Sequence, residues 1–364
     1  MTHVSDIARL VARDAEAGLA FLQELVRVPS DNPPGDCAPH AEMTARCLEE
    51  LGFAVERHAV PTDLVRQAGM VSATNLVVRH RFGDGPTIAL NAHGDVVPPG
   101  EGWSGDPYSA EIRGGWMYGR GVAVSKSDFA TYAFALKALI ESGAPIAGTV
   151  ELHLTYDEEA GGEIGPAWLL REGITRPDFA ICPGFSYKVV TAHNGCLHLA
   201  VEVRGSSAHA ARPETGRDAL RAATAVLARI YAYADSLKDR PSQVSGITAP
   251  SCVVGLIAGG INTNVVPDQV GFRLDRRITP DEDADAAESE LTDLIRAAAA
   301  EHEGITVAIR RILLARPFGP VPGAERLAAI VSRRGPRSWA SRSRPAACRS
   351  TRMRATTRRQ ASRP

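Results

Sequence analysis

The sequence predicts an α/β domain interrupted by an inserted α+β domain, and three observations lead there. Apolar strand-like runs alternate with segments of helical spacing through the first half, as in a sheet flanked by helices. Those runs end in polar and acidic residues, which places a site at the carboxyl edge of the sheet. From Gly195 onward the order becomes βαββαβ, the split βαβ unit of a ferredoxin-like domain.

Each element follows from its local pattern. MTHVSDIARLVARDAEAGLAFLQELV reads as one amphipathic helix, and the acids within its apolar pattern are unlike a signal peptide. VPSDNPPGD is a turn cluster, and a helix follows from about Ala38 to Leu51. NLVVRHRF and TIALNAHGDVV read as strands, the second ending in His93 and Asp95. SKSDFATYAFALKALIESG has helical spacing through Phe129, Ala133, Leu136 and Ile140, and TVELHLTYDEEAGG is a strand running into carboxylates. HLAVEVRG, SCVVGLIAGG, VGFRLDRRI and ITVAIRRILLA are the four strands of the inserted unit. TGRDALRAATAVLARIYAYADSL and DADAAESELTDLIRAAAAEH are its helices. The expected division is therefore 1–194 for the α/β domain, 195–312 for the insert, 313–332 for the return of the first domain and 333–364 for a basic tail.

A chain of 364 residues is long enough for two cores. Its 44% apolar and 23% charged composition is that of a soluble globular protein, and no apolar run approaches a membrane span. The six cysteines lack CxxC spacing, so reduced thiols in a cytoplasmic protein are expected. Eleven arginines and no acid lie between Arg333 and Pro364, which leaves −12 on the rest of a chain whose net charge is −1.

His93 and Asp95 are two apart on a strand, so both point to one face. A carboxylate there can accept from the imidazole and orient it toward a metal. Asp157, Glu158 and Glu159 crowd a second strand end, where their repulsion calls for water or a cation.

Four ordered segments, HGDVVPPGEGWSGDPYSAEIRGGWMYGRG, TYDEEAGGE, VRGSSAHAARPETGRDAL and GGINTNVVPDQVGFRLDRR, together resemble one family. It comprises the di-zinc peptidases and deacylases that include acetylornithine deacetylase, succinyl-diaminopimelate desuccinylase and carboxypeptidase G. The resemblance runs from about Leu25 to Ala315. It implies a zinc-peptidase-like catalytic domain with a dimerisation and lid domain inserted, a homodimer, and hydrolysis of an N-acyl amino acid or small peptide by metal-activated water. One or two zinc ions are implied, with cobalt able to substitute. By position, His93 would be a metal ligand oriented by Asp95, Glu158 the general base and Glu159 a ligand of the other metal. His209 would stabilise the oxyanion in a partner subunit's site, and Asn264 and Arg276 would contact substrate from the lid.

The resemblance also exposes departures. In GRGVAVSK the family's bridging aspartate is replaced by Val124, a further acidic ligand aligns with Gly184, and no histidine follows His302 to supply the family's late ligand. Asp128 is a candidate replacement, displaced by about 6 Å along a helix, and His193 is another. A single metal, a different ligand set, or a non-catalytic or truncated homologue are the alternatives these positions open. The tail RRGPRSWASRSRPAACRSTRMRATTRRQASRP lacks apolar periodicity and suits a shifted reading frame better than a nucleic-acid-binding arm.

Overall fold

In the computed structural model, residues 3–184 and 189–340 are described, with side chains described as far as Arg333. The opening segment forms two helices instead of one, α1 (His3–Arg13) and α2 (Ala15–Arg27). The break falls at Asp14, whose carboxylate is drawn sideways to Arg13 and to Lys137 at 2.7 Å each. Next come α3 (Ala38–Glu50), β1 (Val55–Ala59), α4 (Thr62–Gln67), β2 (Thr74–Arg81) and β3 (Thr87–His93). A hairpin of β4 (Glu111–Arg113) and β5 (Trp116–Tyr118) precedes α5 (Lys126–Glu141), β6 (Thr149–Thr155), α6 (Pro166–Arg171) and β7 (Phe179–Ile181).

The first sheet has the order β1-β2-β6-β3-β7. Its β6, β3 and β7 run parallel, with His93 opposite Thr155, so the chain leaves β3 and β6 at the same edge. That shared carboxyl edge is where the sequence places its histidine and acids. One face of the sheet is covered by α2, α3 and α5, which bury Leu25, Leu48, Phe129, Ala133 and Leu136 against Leu76, Leu152 and Leu154.

Lys126, at the start of α5, is fully buried with no carboxylate partner. Its Nζ donates to the carbonyls of Leu25 and Val28, at 3.1 and 2.9 Å, where α2 ends. Burial pushes its pKa down to about 7 from 10.5. Between those values the unfolded chain binds a proton that the folded chain does not, so this group makes stability rise as pH increases from 7 to 10.5. Lys126→Met should therefore gain on the parent protein by several kcal/mol at pH 7, and the advantage should shrink steadily toward pH 10. Urea denaturation of both proteins at three pH values checks this, and a gap independent of pH would refute it.

The second sheet is built from β8 (Gly195–Arg204), β9 (Ser251–Gly259), β10 (Gln269–Ile278) and β11 (Thr306–Ala315), in the order β11-β8-β10-β9 and antiparallel throughout. Helices α7 (Ala219–Ser236) and α8 (Ala284–Ala300) cover one face, where alternate residues Leu197, Leu199, Val201 and Val203 of β8 meet Val226, Ile230, Leu291 and Ile295. Both helices begin with aspartate caps, Asp218 and Asp283. This sheet runs to Ala315, past the expected limit at 312, because β11 continues through a bulge at Ile312. The chain enters and leaves the unit side by side, with His193 and Phe318 exchanging backbone bonds of 2.9 and 3.0 Å.

The expected tail boundary at 333 also shifts, since α9 (Ala324–Ala340) carries the chain onward as helix. The rest of the segment read as a shifted frame or basic arm lies outside the described residues. Among the described residues no helix is long and apolar enough to cross a membrane.

Candidate metal centre

The site is assembled where β3 and β6 end. After His93 the chain passes Tyr156 so closely that a Cβ at Gly94 would lie 2.4 Å from the ring, which reserves the position for glycine. Asp95 then lies just beyond the strand, not on it, and is fully buried. After Tyr156 the neighbouring strand turns into one 3-10 turn, Glu158–Ala160, ended by Gly161 at a left-handed φ of 108°.

Asp95 joins the two strand ends. Its carboxylate accepts from the backbone N–H groups of Glu158 and Glu159 at 3.3 and 3.1 Å, and from Asn32 Nδ2 at 3.0 Å. His93 Nδ1 lies 3.3 Å from the same carboxylate and 2.9 Å from the Asp95 carbonyl. With Nδ1 donating inward, Nε2 is the lone-pair nitrogen and faces outward, 4.0 Å from Glu158 Oε2. One ligand atom each from His93, Glu158 and Glu159 lies within 4.8 Å of the others.

Charge is concentrated here. Burial, reinforced by Glu158 and Asp95, raises the pKa of Glu159. Burial alone would lower that of His93, but the bond to Asp95 and the charges of Asp95 and Glu158 outweigh it and raise it. Burial pushes Asp157 up to about 6, although its carboxylate accepts the Ile164 N–H at 2.6 Å. A cation is what relieves such crowding. An imidazole and carboxylates are borderline and hard donors of the kind a divalent ion takes. Among the described residues no further histidine, cysteine or acid offers an atom within the same 4.8 Å.

Several expected residues therefore stand differently. Asp128 is not in the group; its carboxylate accepts from Ser125 Oγ at 2.9 Å, since the helix carries it a turn past Val124. His193 is not a ligand either, as its ring packs on Phe318 and its Nδ1 is taken by the Asn194 carbonyl at 3.1 Å. Among the described residues nothing lies within 4 Å of where a Cβ on Gly184 would stand. His209 and Asn264 are brought together on an exposed loop pair of the second unit, where Ala210 N–H donates to the Asn264 carbonyl at 2.9 Å.

Arg276 corrects the expectation of a substrate contact. It is fully buried under α7, with its guanidinium on Glu282 at 2.5 Å and Tyr233 Oη at 3.0 Å. Alternation along β10 sends Arg277 instead to the open face, exposed and paired with Asp275 at 2.8 Å. Strand parity could have distinguished the two arginines. Asn32, the other residue missed, carried no local signal beyond its place in a turn cluster.

Residues 89–315 match the model of peptidase family M20/M25/M40. A succinyl-diaminopimelate desuccinylase of Gluconacetobacter diazotrophicus is 30% identical over 86% of this chain and 80% of its own length. One from Xanthomonas oryzae pv. oryzae is 32% identical over 72% and 68%. Among solved structures, a dipeptidase from Saccharomyces cerevisiae superposes with a TM-score of 0.67 at 15% identity, covering 89% of this chain and 82% of its own. A tripeptidase from Staphylococcus aureus gives 0.63 at 21%, covering 87% and 80%. A dinuclear metal-binding M20 peptidase from Bacillus subtilis gives 0.57 at 17%, covering 90% and 81%. These structures share the fold. The chain belongs to peptidase family M20/M25/M40 and is an enzyme of the metallopeptidase and amidohydrolase class.

Proposed function

We propose that the chain hydrolyses the amide bond of an N-acyl amino acid or small peptide, using a zinc-activated water. The observation that carries this reading is the convergence of His93, Glu158 and Glu159 within 4.8 Å. His93 Nε2 and the Glu159 carboxylate would hold the ion, and Asp95 keeps His93 in the tautomer that leaves Nε2 free. When bound, zinc lowers the pKa of water and polarises a carbonyl. Glu158, whose side chain is exposed, takes the proton of the attacking water and returns it to the leaving amine. Arg277 on the open sheet face is the cation offered to a substrate carboxylate, with Asn264 beside the path, and His209 of one chain steadies the oxyanion of the other. A panel of N-acyl amino acids and dipeptides, assayed with and without zinc, tests the reading. Turnover that survives chelation, or none with zinc present, would sink it. The competing reading, a homologue that binds without turnover, is favoured by Val124 and Gly184 and predicts the second outcome.

The proposal includes a homodimer in the cytoplasm, where the unpaired Cys37, Cys47, Cys182, Cys196 and Cys252 remain reduced. Strand β9 is an edge with Val253, Leu256 and Ile257 all more than half exposed, a surface that a monomer must defend. Sedimentation of the full chain should give a dimer at micromolar concentration, and Leu256→Lys should shift it to monomer. A parent protein that sediments as a monomer would remove both the dimer and the role given to His209.

A further inference from the structure

We propose that this site holds a single divalent cation in place of a pair, with Val124 standing where the shared donor of a second ion would be required. The inference rests on the functional reading above and narrows it. Two ions in one hydrolytic site stand about 3.5–4 Å apart, each needing donors of its own and usually a carboxylate between them to offset their repulsion. Here one ligand atom each from His93, Glu158 and Glu159 lies within 4.8 Å of the others.

The start of α5 adds no atom to that group. The segment entering α5 offers the half-buried isopropyl group of Val124, then Ser125, which is fully buried and donates its hydroxyl to Asp128. Asp128 is held back by that bond, one helical turn further on. Gly184 has no side chain to offer, and among the described residues a Cβ placed there would touch nothing within 4 Å.

Charge balance points the same way. Asp95, Glu158 and Glu159 together carry three negative charges when ionised. One divalent ion leaves the cluster at −1, which the solvent-exposed Glu158 can carry. Two leave +1, with the repulsion between dications four times that of unit charges at the same distance. Valine and aspartate are similar in size, so the substitution Val124→Asp restores a bridging carboxylate with little steric change.

The test uses the full chain, stripped by a chelator and titrated with Zn2+ in a calorimeter, with bound metal counted by mass spectrometry after desalting. One equivalent is expected. Glu159→Gln should weaken that equivalent at least tenfold, and Val124→Asp should add a second, with circular dichroism confirming that each variant is folded. Two equivalents on the parent protein would overturn the single-ion assignment and leave the hydrolytic reading standing. No saturable equivalent would overturn both. One equivalent without any amide hydrolysis would uphold the single ion and remove the functional reading alone. A folded Val124→Asp protein that still takes one equivalent would overturn the identification of Val124 as the missing bridge.

Discussion

Glu158→Gln should cut amide hydrolysis by about a hundred- to ten-thousand-fold while leaving bound metal nearly unchanged, the range a positioned proton acceptor supplies. The amide keeps the shape of the side chain but cannot take the water's proton. Nothing in the fold depends on that carboxylate, whose side chain is 63% exposed; the bond that fixes residue 158 to Asp95 comes from its backbone N–H and survives the substitution. Glu159→Gln is the contrasting variant, expected to lose metal first and turnover as a result. Parallel measurement of turnover and metal content separates the two. Equal metal loss in both variants would end the division of labour between these neighbours, and unchanged turnover would remove Glu158 as the base.

The second large effect lies far from the chemistry. Arg276→Met should destabilise the protein by about 3–5 kcal/mol, the cost of leaving one partner of a buried ion pair uncompensated. The orphan would be Glu282, whose side chain is only 17% exposed and which also accepts the Thr279 N–H at 2.9 Å. The double variant Arg276→Met with Glu282→Gln should recover much of the loss, because both charges are then gone. Urea denaturation measures this. A substrate-contacting arginine would behave in the opposite way, with stability kept and KM raised, so the two assignments of Arg276 cannot both survive.

Most of the architecture was legible because hydrophobic periodicity reports which face an element buries. The βαββαβ order followed from runs such as HLAVEVRG, whose alternation the second sheet realises through Leu197, Leu199, Val201 and Val203. His93 and the acids were legible as strand ends. What failed to show was anything decided by direction and not by order. Arg276 looked free to meet substrate, but on a strand alternate residues face solvent and core, and this one faces the core. Asp128 looked available until its hydrogen bond to Ser125 was seen. Asn32 and Asp95 are 63 positions apart, and no pattern within either segment announces their bond. The single break at Asp14 escaped notice because its cause, the cross-chain pull of Lys137, is tertiary.

Asp95 has a consequence for how the protein meets its ion. Its bonds to Asn32, to His93 and to the two backbone amides of the acidic turn are all made within the chain, so the frame of the socket is held by folding contacts. Folding energy and binding energy are thereby kept apart, unlike small zinc domains whose chains collapse only around the metal. Loading then raises stability by mass action alone, about 2.7 kcal/mol at a hundredfold excess over Kd. A chelator should empty this protein without unfolding it, and the emptied chain should refill, or exchange one metal for another, as an ordinary reversible ligand equilibrium.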